Sequence, residues 1–221
     1  MAVVSERFDT LGLADPSKTY KLGVMGGTFD PIHMGHLACA EQVREALNLD
    51  AVVFMPAGDP WMKSGRSLAD PEDRLAMVRM AVKDNPRFDA SRLEIDRKGQ
   101  TYTVDTLRAL RNHYPENVEV HFIMGADAVQ QVHKWHQADQ LSSLATMVAV
   151  TRPGYSLDEA RAEYARACGS ELRVVPVSVT PLDVSSTDLR EKAAAGASVR
   201  YLVPQVVADY MAARGLYRGA E

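Results

Sequence analysis

From Lys21 onward, short apolar runs alternate with longer stretches of helical period. The runs Leu22–Met25, Ala51–Met55, Phe88–Ile95, Val118–Met124, Thr146–Thr151 and Leu172–Val177 have the composition of strands. Between the first two, Leu37, Ala40, Val43 and Leu47 share one side of a helical wheel, which makes an amphipathic face. Asp70 is placed as the N-cap of a further helix with Pro71 at its first position. Ser156-x-x-Glu159 has capping-box form ahead of a helix reaching Cys168. Past Pro181 the pattern turns helical, over 187–195 and 204–214, with Gly215 as a stop. Strand and helix alternating in this way predict an α/β fold, a Rossmann-like doubly wound parallel sheet with a small C-terminal helical subdomain. The expected division is an N-terminal arm over 1–20, poorly ordered or wrapped along an edge, then one domain over 21–221 whose helical part is 181–221.

Composition narrows the class. The chain has 221 residues, 46% hydrophobic and 24% charged, enough apolar content to bury a core without disulfides or metal staples. Two cysteines, Cys39 and Cys168, are no disulfide framework and point to a reduced, cytoplasmic setting. No apolar run approaches the roughly 18 residues of a membrane span. Glu6, Asp9 and Asp15 near the start, with no hydrophobic stretch, do not read as a secretory signal. The formal charge of −4, from 29 acidic and 25 basic residues, argues against a nucleic-acid face. It leaves room for one concentrated phosphate pocket, which needs only a few cations and some backbone N–H groups. A homo-oligomer stays open.

In a doubly wound sheet the ligand crevice lies at the carboxyl ends of the strands, and the densest chemical signal falls there. Met25 to Leu37, MGGTFDPIHMGHL, follows the first strand and leads into the first helix. Gly26 and Gly27 would let the backbone approach an anion, and Thr28 adds a hydroxyl. His33 and His36 share a helix face, and Gly35 between them leaves room for a ligand. Neither GxGxxG nor GxxxxGK[ST] is present, so this is not the dinucleotide fingerprint or the P-loop. A satisfied helix face, or a metal pair extended by Cys39, are other readings of the same spacing, although no fourth ligand is evident nearby. A second anion site is Ser185-Ser186-Thr187-Asp188-Leu189-Arg190, where hydroxyls precede a helix and Arg190 sits one turn in. The hydroxyls alone would make an N-cap. Gly125-Ala126-Asp127 follows another strand and offers a carboxylate to a ribose or adenine, or an N-cap. Trp135 offers a stacking platform, Arg152 a partner for phosphate or carboxylate, and Lys63 a loop contact within the long loop Ala57–Ala69. His113, His121 and His133 read as structural, and His133-x-x-His136, without a glycine, is a weaker copy of the first pair.

Taken in order, these motifs resemble the HxGH nucleotidyltransferase superfamily and, within it, the bacterial nicotinate-nucleotide adenylyltransferases. The resemblance runs from about Lys21 to Tyr210. It rests on GGTFDPIHMGHL, the Pro-containing loop ending in Lys63, GQTYTVDT over 99–106, FIMGAD over 122–127, Trp135-His136, TRPG over 151–154, VSSTDLR over 184–190 and YLVP over 201–204. It implies adenylyl transfer from ATP to nicotinate mononucleotide, giving nicotinate adenine dinucleotide and pyrophosphate, in NAD biosynthesis. By the same resemblance His33, His36 and Arg190 are catalytic. Gly26, Gly27, Thr28, Phe29, His33, His36, Gly125, Asp127, Ser185, Ser186, Thr187 and Arg190 bind ATP. Lys63, Tyr102, Thr103, Trp135 and Arg152 bind the mononucleotide. Mg²⁺ is expected to enter on the ATP phosphates rather than on a protein metal site. The competing functions are a sister enzyme acting on nicotinamide mononucleotide, phosphopantetheine or a choline-type phosphate, and a non-catalytic nucleotide sensor. A tRNA synthetase-like fragment would need a basic RNA face that the charge denies.

Overall fold

A computed structural model describes residues 4–60, 68–151 and 156–218. In chain order the elements are β1 (Tyr20–Gly27), α1 (Met34–Leu47), β2 (Ala51–Pro56), β3 (Asp59–Pro60), α2 (Pro71–Val82), β4 (Phe88–Ala90), β5 (Gln100–Thr101), α3 (Thr103–His113), β6 (Val118–Gly125), α4 (Ala126–Gln131), α5 (Leu141–Leu144), β7 (Thr146–Thr151), α6 (Asp158–Cys168), β8 (Val174–Ser178), α7 (Ser186–Ala194) and α8 (Gln205–Arg214).

Six strands form one sheet in the order β4-β2-β1-β6-β7-β8, and every pairing is parallel. The alternation of side chains explains why helices must cover both faces. Leu22 and Val24 of β1, Val53 and Met55 of β2, and Val120 and Phe122 of β6 enter one core, where they meet α3, α5 and α6. The intervening residues Met25, Val52, Phe54 and Ile123 enter a second core, closed by α1, α2, α7 and α8. The chain builds outward from β1 through β2 to β4, then returns to the other side of β1 and builds through β6, β7 and β8. The crevice between the ends of β1 and β6 is therefore the point where the winding reverses, the ligand position of a doubly wound sheet.

Several local signals act as the sequence suggests. The Asp70 side chain accepts the Glu72 N–H at 2.8 Å with Pro71 at the first helical position, and Gly215 ends α8 at φ 63°. Others differ. The strand expected over Phe88–Ile95 stops at Ala90. The Ser91 N–H makes the last bond to the sheet, at Phe54 O, and Arg92 and Asp96 then close a turn with a 2.9 Å backbone bond. Leu93 and Ile95 pack against the two cores from this turn, which accounts for their strand-like spacing. Ser156 accepts the Asp158 N–H at 3.1 Å, so the start of α6 is held by a short serine turn and not by a box with Glu159. Within the loop Ala57–Ala69, β3 pairs with β5 as a separate two-residue ladder.

The segment before β1 lies against the sheet end. Val4 is buried, and Ser5 Oγ donates to Asp89 Oδ2 at 2.5 Å. The Arg7 guanidinium reaches the carbonyls of Lys83 (2.7 Å), Asn85 (2.7 Å) and Phe88 (2.9 Å), where α2 turns into β4. Among the described residues no helix is long and apolar enough to cross a membrane.

Candidate active site

At the crevice a Cβ on Gly26 would come within 2.9 Å of the Phe122 ring, so a side chain there would displace that ring. Beyond Gly27 and Thr28 the chain turns through Phe29 at φ 49°, whose buried ring packs on Phe54 and edge-on against His36 at 5.0 Å. His33 is the N-cap of α1 and His36 its third residue. Their rings stack, with centroids 3.7 Å apart and planes 24° from parallel.

This stacking has a chemical consequence. The His33 backbone N–H donates to His36 Nδ1 at 3.3 Å, so the ring proton of neutral His36 sits on Nε2. His33 is 6% exposed, and burial pulls its pKa down to about 4, so it stays a neutral imidazole near pH 7. Gly35 lies under the pair: a Cβ there would meet His33 Nδ1 at 3.0 Å and Leu182 O at 3.5 Å.

The second hydroxyl cluster is stitched onto the same loop. Ser185 caps α7 by accepting the Asp188 N–H at 3.1 Å, while Ser186 Oγ donates to Pro31 O at 3.0 Å. Arg190 Nη1 donates to Asp30 O at 2.8 Å and Nη2 to Thr187 Oγ1 at 3.2 Å. Two segments about 155 residues apart in sequence are thus held as one surface around the β1–α1 loop.

Three cavities meet at His36 and Gly125. The first, 430 Å³, is walled by Thr28, Phe29, Thr101, Thr103, Phe122 and Trp135. The second, 330 Å³, is mainly apolar, with Gly35, Cys39, Ile123, Val150, Leu182 and Val184. The third, 590 Å³, holds Asp127, Ser185, Ser186, Thr187 and Arg190. Gly26 borders the first two and Gly27 the first, while His33 borders the second and third. Asp127 is exposed in the first turn of α4. Tyr102 caps α3, and its ring packs on His136 at 4.4 Å, while its neighbours Thr101 and Thr103 face the first cavity. Lys63 and Arg152 lie outside the described residues. His113 is bonded to Asp9, His121 to the Glu119 carbonyl, and His133 lies 3.9 Å from Glu163, all away from the crevice.

Thr101, Glu94 and Arg74, given no role from the sequence, complete the site. In the first cavity Thr101 Oγ1, like Nε1 of the expected Trp135, is buried without a hydrogen-bond partner among the described residues. Such orphans are costly unless a ligand or water satisfies them. Glu94 borders the same cavity. It accepts from Thr106 Oγ1 at 2.6 Å, Thr106 accepts from Arg97 at 3.0 Å, and burial pushes the Glu94 carboxyl up to about 7. Arg74, 1% exposed, donates to Thr28 O (2.8 Å), Gly58 O (3.1 Å) and Ala69 O (3.2 Å), so one guanidinium ties both stems of the 58–69 loop to the β1–α1 loop. Among the described residues no group of three or more His, Cys, Asp or Glu could hold a metal ion.

Glycines at a strand end, a stacked imidazole pair and a hydroxyl–arginine helix start thus surround one crevice, and the chain's relatives are nucleotidyltransferases. The model of the cytidylyltransferase-like family matches residues 24–192. The chain is 46% identical over 208 residues to a Saccharopolyspora erythraea protein named "Probable nicotinate-nucleotide adenylyltransferase", covering 93% of each. It is 48% identical to a Corynebacterium kroppenstedtii protein of the same name, covering 89% of this chain and 90% of that one. A Plasmodium falciparum nicotinic acid mononucleotide adenylyltransferase, solved with NaAD, shares the fold with a TM-score of 0.70 at 15% identity, over 90% of this chain and 97% of that chain. The chain belongs to the nicotinate-nucleotide adenylyltransferase family.

Proposed function

We propose that this protein transfers the adenylyl group of ATP to the 5′-phosphate of nicotinate mononucleotide, forming nicotinate adenine dinucleotide and releasing pyrophosphate. The observation that carries this reading is the meeting of three chemically distinct lobes at His36. The Trp135 lobe takes the pyridine nucleotide, with its ring against the indole and polar groups on Thr101, Thr103 and Trp135 Nε1. The apolar lobe beside Gly35 takes adenine. The lobe of Ser185, Ser186, Thr187 and Arg190 takes the β- and γ-phosphates.

The α-phosphorus then lies where the lobes join. An oxygen of the mononucleotide phosphate attacks it, a P–O bond forms in line, and the bond to the β-phosphate oxygen breaks. The attacking group is already an anion at neutral pH, so no general base is needed. Catalysis rests on alignment and on neutralising charge at the reacting phosphoryl group. His36 donates from Nε2 to a non-bridging α-oxygen, and Arg190 holds the departing pyrophosphate. A neutral His33 stacks behind His36 and fixes its ring. ATP would enter as its Mg²⁺ complex, the metal supplying charge neutralisation on the phosphates. Lys63 and Arg152 complete the anion contacts in this reading, with Tyr102 at the rim. The unpaired cysteines suit a reducing cytoplasm.

The test supplies ATP and Mg²⁺ with either nicotinate or nicotinamide mononucleotide and compares kcat/KM from pyrophosphate release. A strong preference for the acid is expected. Equal values would overturn the substrate assignment, and no pyrophosphate with either would favour a nucleotide sensor.

A further inference from the structure

Between the first cavity, which it borders, and Arg190 of the phosphate lobe lies a buried carboxylate served from the far end of the chain. Asp30 is 1% exposed. Its Oδ1 accepts from Tyr217 Oη at 2.6 Å and from the Ala69 N–H at 3.2 Å. Its Oδ2 has no hydrogen bond among the described residues and stands 3.8 Å from Arg190 Nη1, the atom that also donates to the Asp30 carbonyl. Asp30 therefore competes for the guanidinium that faces the phosphates. Burial and the neighbouring carboxylate push the Tyr217 phenol far above its ordinary value, so it stays a donor. Tyr217 lies on the short segment after α8, at φ 62°, beyond the residues matched by the family model.

We propose that Tyr217 is a positioning residue for adenylyl transfer: its hydroxyl occupies the Asp30 carboxylate and so leaves Arg190 available to hold a phosphate. Without that hydroxyl, Oδ1 keeps only a 3.2 Å amide donor and the buried charge draws Arg190 toward itself. The inference rests on the assignment of Arg190 to ATP. The same end of the chain supplies a matched control, because Tyr210 donates to Asp73 at 2.7 Å and ties α8 to α2 away from the crevice.

The test measures KM for each substrate, and ATP affinity by calorimetry, in wild type, Tyr217→Phe and Tyr210→Phe. Tyr217→Phe should raise KM and Kd for ATP about tenfold, the scale of one hydrogen bond to a charged group, with KM for the mononucleotide within about twofold. Tyr210→Phe should change neither beyond about twofold. An ATP KM unchanged by Tyr217→Phe, an equal rise for both substrates, or the same effect from Tyr210→Phe would each overturn the proposal. If Tyr217→Phe does not fold, the double variant Asp30→Asn/Tyr217→Phe removes charge and donor together. ATP affinity within about twofold of wild type then supports the proposal, and a tenfold loss contradicts it. A wild type that binds ATP without releasing pyrophosphate would defeat the functional reading alone, since the calorimetric comparison still judges Tyr217.

Discussion

The two sides of the phosphate crevice are built in opposite ways. On the β1–α1 side the rings are mutually fixed: Phe29 packs on a half-buried His36, His36 stacks on His33, and Phe29 and His33 are buried. On the α7 side Ser185 and Thr187 are exposed, and Arg190 is anchored to the opposite loop by its 2.8 Å bond to Asp30 O. A donor that must meet charge arising only during reaction gains from being fixed beforehand, because no reorganisation is then needed. A group that grips phosphates already charged on arrival can be exposed. The first side should govern turnover and the second ATP affinity.

The largest expected effect tests the rigid side. His36→Ala should lower kcat by about 10²–10³-fold, the loss typical of one preorganised donor, with KM for ATP little changed. A variant with its loss in KM instead would erase the distinction between the two sides. Next, Arg190→Ala should weaken ATP by about 10–100-fold while sparing the mononucleotide, as removal of a charge-assisted phosphate contact does. A pure kcat defect there would reverse the assignment. The smallest effect lies in the pyridine lobe and is read in stability. Glu94 has its folded pKa raised to about 7, above its unfolded value. The folded state therefore holds the extra proton, and stability is lost as pH rises through 7. Between pH 6 and 8 wild type should lose about 1 kcal/mol by this route, and Glu94→Gln should not. Identical pH profiles in thermal unfolding would show that Glu94 does not titrate there. His33, its folded pKa pulled from 6.5 down to about 4, gains stability as pH rises through the same window, so the Glu94 effect is read as the difference between wild type and Glu94→Gln, which share His33.

The β1–α1 side was legible in the sequence because its signals are local. Two glycines end a strand, and histidines three apart open a helix. The parallel, doubly wound character of the sheet followed from the alternation of strand and helix, while its strand order did not; the hydroxyl run before Arg190 marked the start of α7. Other contacts could not be read this way. Arg74 reaches Thr28 across 46 residues and Tyr217 reaches Asp30 across 187, and nothing beside either residue signals its partner. Thr101 and Glu94 gain their place from the two-residue ladder of β3 and β5 and from the turn after β4, both too short to leave a periodic pattern. Asp30 stood within the recognised motif, but its tie to the C-terminal segment appears only once the chain is folded.

The central claim is that the product dinucleotide spans the pyridine and adenine lobes, with its bridging phosphates at the junction where the third lobe holds the departing pyrophosphate. A crystal structure with bound nicotinate adenine dinucleotide tests it most directly. The pyridine ring should lie against Trp135, the adenine beside Gly35 and Val184, and an α-phosphate oxygen within hydrogen-bond distance of His36 Nε2. A dinucleotide bound in the reverse direction, or with its phosphates away from His36, would contradict the account.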